Sequence, residues 1–273
     1  MSFPLGIFSY IGYDLPLDRR LGLIKDAGFE ASSIWWGDEE DDYRRGLRLK
    51  MPQMVRDHGL YCEFVHVAFK ECDHFWSEDA SDRERAVAQH VAWVHDCADS
   101  GIPIMVMHAM RGSYRGEISR LGMESIISIV SAAEEAGIVI ALENTRRMDC
   151  FGAVLSEIDS PNLGFCYDSS HERLCTEDAG VLLRQFGDRL RVTHFSDCDG
   201  TFDRHWLPGE GIIDWRAVMD AFPAETYSGC FSLEVVPGKA ADELSPPEFL
   251  AKAHERANWL AGMTASGAEE ARL

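Results

Sequence analysis

Positive charge is scarce in this sequence: 26 lysines and arginines stand against 46 aspartates and glutamates, a formal net charge of −20. A protein that grips a nucleic-acid backbone needs a local basic surface, because phosphate contacts supply most of the non-specific affinity. No Lys/Arg-rich run occurs, so nucleic acid is not an expected partner. Long apolar runs are also missing. None approaches the roughly 18 residues of a membrane span, and the opening stretch MSFPLGIFSYIGYD lacks the basic segment and apolar core of a signal peptide. The eight cysteines are scattered without a CxxC pair, a poor disulfide framework or zinc knuckle. They read as reduced, mostly buried thiols of a cytoplasmic protein. No GxGxxG follows the first apolar run and no P-loop is present, which argues against an open, doubly wound nucleotide-binding sheet.

What is present is an alternation. Short apolar runs rich in branched and aromatic residues fall at Leu5–Ser9, Ala31–Trp36, Tyr61–Val67, Pro103–Met107, Val139–Leu142, Leu163–Tyr167, Leu190–Phe195 and Tyr227–Val235. Amphipathic stretches lie between them, near residues 17–28, 46–58, 82–100, 123–136, 152–158, 179–187, 214–221 and 247–264. Gly28, Gly59, Gly101 and Gly137 each follow a helical stretch and precede a strand, as C-terminal capping glycines do. Hydrophobic residues at 46% are ample for a core. Eight strand–helix repeats without a long linker predict an α/β fold, a single (β/α)₈ TIM barrel spanning residues 1–273 with a frayed tail from Thr264. The acidic run Asp38-Glu39-Glu40-Asp41-Asp42 reads as a solvated loop after the second strand.

In such a barrel, polar residues at the C-terminal ends of strands build the active site. Those ends carry His66, His108, Glu143, Asp168 with His171, His194 with Asp203 and His205 in the loop beyond, and Glu234. Any one of them alone has an ordinary explanation as a cap, a salt bridge or a hydrogen-bonded histidine. Six successive strands delivering His, Asp or Glu at one end predict a divalent metal site, since such an ion needs several oxygen and imidazole ligands converging on one point. His58, His74, His90 and His95 lie in or beside helical and aromatic stretches and read as structural or solvent-exposed.

These residues resemble the xylose-isomerase-like barrel superfamily, which includes sugar isomerases and epimerases and the endonuclease IV type of apurinic endonuclease. The specific pieces are Glu143-Asn144-Thr145, Asp168-x-x-His171, His194, and the run from Asp203 through His205-Trp206-Leu207-Pro208-Gly209-Glu210-Gly211. In the sugar branch one divalent ion (manganese, magnesium, cobalt or zinc) is held by four strands, at the positions of Glu143, Asp168, His194 and Glu234. The resemblance implies proton abstraction beside a metal-bound carbonyl, with Glu143 and Glu234 as the acid–base pair and His171 orienting the substrate. It implies a small sugar or sugar-like substrate met by His66, His108, Arg146 and His205, and a chain able to form a homo-oligomer. Arg111, Arg115 and Arg147, with Arg146, follow the fourth and fifth strands and could face a substrate phosphate or carboxylate.

In the endonuclease branch three zinc ions take nine ligands, at the positions of His66, His108, Glu143, Asp168, His171, His194, Asp203, His205 and Glu234. All nine are of the matching type, so a trinuclear zinc phosphodiesterase is the alternative reading. Ketohexose 3-epimerases carry an Arg three residues before the Pro-Gly, where this chain has His205. A catalytically inactive barrel serving as a binding subunit is the third reading, but a degenerate copy would have lost ligands and none is missing here.

Overall fold

The computed structural model describes residues 3–37, 47–238 and 244–270. The acidic run at 38–42 lies outside the described residues, as does the start of the helical stretch expected from residue 46. Eight strands form a (β/α)₈ TIM barrel: β1 (Leu5–Phe8), β2 (Ala31–Trp36), β3 (Phe64–Val67), β4 (Ile104–Met107), β5 (Val139–Glu143), β6 (Leu163–Asp168), β7 (Leu190–His194) and β8 (Phe231–Leu233). The sheet order is β7-β6-β5-β4-β3-β2-β1-β8, with parallel pairing such as Ile104↔Val139 and Glu143↔Cys166. A parallel bridge between Phe195 and Leu233 joins the last two strands. Nearly every strand residue is buried, because both faces of a barrel sheet are covered; this is why the strands read as continuous apolar runs rather than as alternations.

The chain divides into two compact units, Met1–Ser33 with Met54–Cys62 and Tyr167–Leu273, and Ile34–Gln53 with Glu63–Cys166. The divisions fall inside β2 and β6. In the second unit, α3 (Ala80–Ser100) and α4 (Arg120–Ala136), which follow α1 (Leu17–Asp26) and α2 (Met51–Asp57), are capped by Asp79 and Ser119, whose side chains accept from Ser81 N and Gly122 N. Gly28, Gly59, Gly101 and Gly137 all have positive φ where each helix hands over to the next strand.

Three differences from the sequence expectation have local causes. Tyr61 makes only an isolated bridge to Ala31, so β3 begins at Phe64. A 3₁₀ turn (Cys72–Trp76) is closed by Trp76, whose indole N–H donates to the Ala109 carbonyl at 2.7 Å, a tertiary bond. After α5 (Met148–Glu157), α6 (Ser169–Arg173), α7 (Val181–Phe186) and α8 (Trp215–Ala221), the last helix α9 spans Pro246–Glu270 and so continues past Thr264, where fraying was expected. Residues 271–273 lie outside the described ones. Among the described residues no helix is long and apolar enough to cross a membrane.

Histidines outside the strand ends behave as structural groups. His58 pairs with Asp18 at 3.0 Å and His74 with Glu71 at 2.7 Å, while His95 is exposed. His90 is fully buried in α3, its Nδ1–H donating to the Ala86 carbonyl at 2.8 Å, with Phe75 and Trp93 edge-on to the ring. Burial lowers its pKa from 6.5 to about 4. Its folded value lies below its unfolded one, so its contribution to stability is complete above pH 6.5 and disappears as pH falls toward 4, by about 3 kcal/mol in all. Denaturant unfolding across this range should show His90→Leu losing about 3 kcal/mol less than the wild type; parallel pH profiles would show that this residue does not carry the acid sensitivity.

Candidate metal centre

In the second unit three strands converge on one carboxylate. His66 lies in β3, His108 directly follows β4, and Glu143 ends β5. All three are buried. His66 Nε2 and His108 Nε2 lie 2.8 Å and 3.1 Å from the same atom, Glu143 Oε2. The other ring nitrogen of His66, Nδ1, donates to the Val67 carbonyl at 2.9 Å, which holds the ring's orientation, since a carbonyl only accepts. Two aromatic rings that no motif singles out hold these imidazoles. Trp35 stacks on His66 at 5.3 Å and Phe69 on His108 at 4.9 Å. Trp35 leaves β2 at the same end as His66 leaves β3, their register pairing being Trp35↔His66.

The arginines near this unit divide. Arg111 donates from its backbone N (2.9 Å) and from Nε to the buried Asp73, a bond that holds its pKa above the ordinary value. Arg147 donates to Asp149 at 2.8 and 2.7 Å and to the carbonyls of Tyr114 and Gly116, so it ties down the loop after β4. Both therefore have intramolecular work. Arg146 and Arg115 are exposed.

In the first unit the cluster is built on β6, β7 and β8. Asp168 ends β6 and caps α6, its Oδ1 accepting from the His171 backbone N at 2.7 Å. This is the local reason for the Asp-x-x-His spacing: the cap places His171 one turn on, with Nε2 3.1 Å from Asp203 Oδ2. His205 Nε2 reaches the same oxygen at 3.0 Å, and its Nδ1 donates to the Glu234 carbonyl at 3.1 Å. His194, fully buried at the end of β7, has Nδ1 3.1 Å from Glu234 Oε2. His205 sits at φ 50°, a left-handed conformation that an L-residue adopts at a cost. Burial pulls His205 toward a lower pKa, but the Glu234 charge and the hydrogen bond that His205 donates to Asp203 outweigh it and raise it to about 10. Burial likewise pushes Asp203 up, and the hydrogen bonds and charges of His171 and His205 outweigh that, leaving it well below the usual carboxylate range.

Within the first unit ligand atoms of Asp168, His194 and Glu234 lie within 4.8 Å of one another, and within the second unit so do those of His66, His108 and Glu143. Sequence reasoning passed over a buried thiol on β6, Cys166. Cys166 precedes Asp168 by two positions on β6, so the period of a strand turns both toward the same side.

The family model for the xylose isomerase-like TIM barrel matches residues 21–260. Uncharacterized protein y4fM of Sinorhizobium fredii is 26% identical over 298 aligned positions, covering 95% of this chain and 93% of that protein. Fructoselysine 3-epimerase of Escherichia coli O157:H7 is 32% identical over 82 residues, 30% of either chain. Among solved structures, L-ribulose 3-epimerase superposes with a TM-score of 0.77 at 18% identity, covering 100% of this chain and 97% of that one. At that identity the likeness shows the shared fold.

Proposed function

The chain belongs to the xylose isomerase-like TIM barrel family, and from that premise we propose that it is a divalent-metal-dependent isomerase or epimerase of a small sugar or sugar-like polyol. The observation that carries this reading is that each unit gathers metal-type donors within 4.8 Å of one another, Asp168, His194 and Glu234 in the first and His66, His108 and Glu143 in the second; Glu143, Asp168, His194 and Glu234 are the ligands we propose. Three carboxylates and one imidazole suit manganese, magnesium, cobalt or zinc. Glu143 and Asp168 are each almost wholly removed from water, and a buried carboxylate is costly unless its charge is neutralised. The residues present therefore fit the ion. When bound, it would polarise a carbonyl and neighbouring hydroxyl of the sugar and acidify the C–H between them. Glu143 and Glu234 remove and return that proton, His171 orients the substrate, and His66, His108, Arg146 and His205 contact its hydroxyls. The 3-epimerases among the similar proteins support an epimerisation.

The test is solvent exchange. Incubated in deuterated water with a panel of aldoses and ketoses, the metal-loaded protein should introduce deuterium at one carbon beside the carbonyl of its substrate. Absence of exchange from every sugar, together with nicking of abasic duplex DNA, would overturn the reading.

One observation favours a second reading. The Nδ1 of His66 and of His205 each faces a backbone carbonyl, leaving each Nε2 aimed at a carboxylate, Glu143 or Asp203. Metal-binding imidazoles are oriented this way by their outer partners. It supports additional ions bound through His66, His108, His171, Asp203 and His205, as in a trinuclear zinc phosphodiesterase.

A further inference from the structure

Asp197 has no part in the chemistry above, yet it is a fully buried acid with an unusual number of partners. It lies three residues beyond His194, at the root of the segment that carries Asp203 and His205. Its backbone N–H and C=O exchange hydrogen bonds with Trp206 at 2.8 and 2.9 Å, an antiparallel bridge. Its side chain takes four N–H donors. Oδ1 accepts from Cys198 N at 2.9 Å and Ile213 N at 3.2 Å, and Oδ2 from Gly209 N and the Trp215 indole N–H, each at 2.9 Å. One side chain thus gathers the beginning of the loop, its far end and the start of α8.

The glycines of Pro208-Gly209-Glu210-Gly211 follow from this arrangement. Gly209 presents its N–H from a left-handed φ of 86°. A Cβ on Gly211 would come within 2.2 Å of both Asp197 Oδ1 and the Cys198 carbonyl, so no side chain fits there. The arm between the two ends of the bridge is short, and it holds His205 in its left-handed conformation, with the His205 carbonyl accepting from Val236 N at 2.8 Å.

We propose that Asp197 is the positioning residue of this site: it closes the base of the loop so that Asp203 and His205 meet His171 and the Glu234 carbonyl in one register. The kinetic part of this inference rests on the sugar-enzyme reading; the structural part does not. Asp197→Asn keeps the shape, but its amide NH₂ must oppose two of the four N–H donors. In the metal-loaded full-length protein, amide exchange at Trp206, Gly209 and Ile213 should accelerate by about 100-fold while the β3–β5 amides keep wild-type rates. The ring ¹⁵N signals of His171 and His205 should shift, and those of His90 should not. With a substrate in hand, kcat should fall by about 100-fold with KM changed by less than about 3-fold, as expected of misplaced groups. Asp197→Glu restores the charge with the wrong reach and should not rescue. Wild-type exchange and histidine signals in Asp197→Asn would overturn the proposal, and so would a uniform acceleration across all strands, which marks a general loss of stability. If no sugar is turned over by the wild type, the exchange and ¹⁵N results still decide this role.

Discussion

Replacing Glu234 by glutamine is expected to lower kcat by about 10³- to 10⁴-fold and to weaken metal binding in the same variant. Glutamine preserves volume and hydrogen-bonding reach, so the half-buried side chain keeps its place 3.1 Å from His194 Nδ1. Under the proposed function, what it removes is the negative charge offered to a divalent ion and the basicity that would take a proton from carbon. The two losses separate experimentally. Titrating the variant with excess manganese or cobalt restores occupancy, and the defect that remains at saturation is the proton-transfer share. Glu143→Gln should behave similarly, with one addition: Glu143 Oε2 is the shared acceptor of His66 and His108, so this change also loosens two imidazoles. Stopped or steady-state assays on the deuterium-exchanging sugar measure both. Retained turnover in Glu234→Gln at saturating metal would remove the acid–base role from this residue.

Chelation is expected to have the second large effect. An ion that binds only the folded chain stabilises it by RT ln(1 + [L]/Kd), about 4 kcal/mol at a thousand-fold excess over Kd. For a chain of this size, that corresponds to a fall in Tm of about 10 °C on removing the metal. Elemental analysis of protein purified without added metal decides between the two functional readings. About one ion per chain, particularly manganese, cobalt or magnesium, agrees with the set Glu143, Asp168, His194 and Glu234. About three zinc ions would make His66, His108, His171, Asp203 and His205 ligands as well, and would move the assignment to phosphodiester chemistry. A Tm unchanged by chelation, with no metal found, would overturn the metal-dependent reading.

The barrel was readable because its evidence is local and repeated. A strand covered on both faces must be apolar throughout, a helix on the outside must be apolar on one stripe, and a glycine must turn the chain between them; Gly101 and Gly137 did this where expected. The candidate residues could be listed for a related reason. His66, His108, Glu143, Asp168, His194 and Glu234 each stand at or just beyond the end of a strand, a position legible along the chain. The Asp168-x-x-His171 spacing proved to be a helix cap, which also depends only on near neighbours.

Pairings between residues distant in sequence were not readable. Nothing in the composition of the loop after β4 says that Arg111 is taken by Asp73, 38 positions earlier, or that Arg147 holds the Tyr114 and Gly116 carbonyls. The stacking of Trp35 on His66, the left-handed φ of His205 and the four donors gathered by Asp197 belong to the same class. The sequence by itself determined the alternation of elements and the fold, because those follow from periodicity and short-range capping. Tertiary structure alone decided which charges are already neutralised by a partner, which ring nitrogens face carboxylates, and which buried acid organises the loop, because these depend on distances of about 3 Å between atoms that only packing brings together.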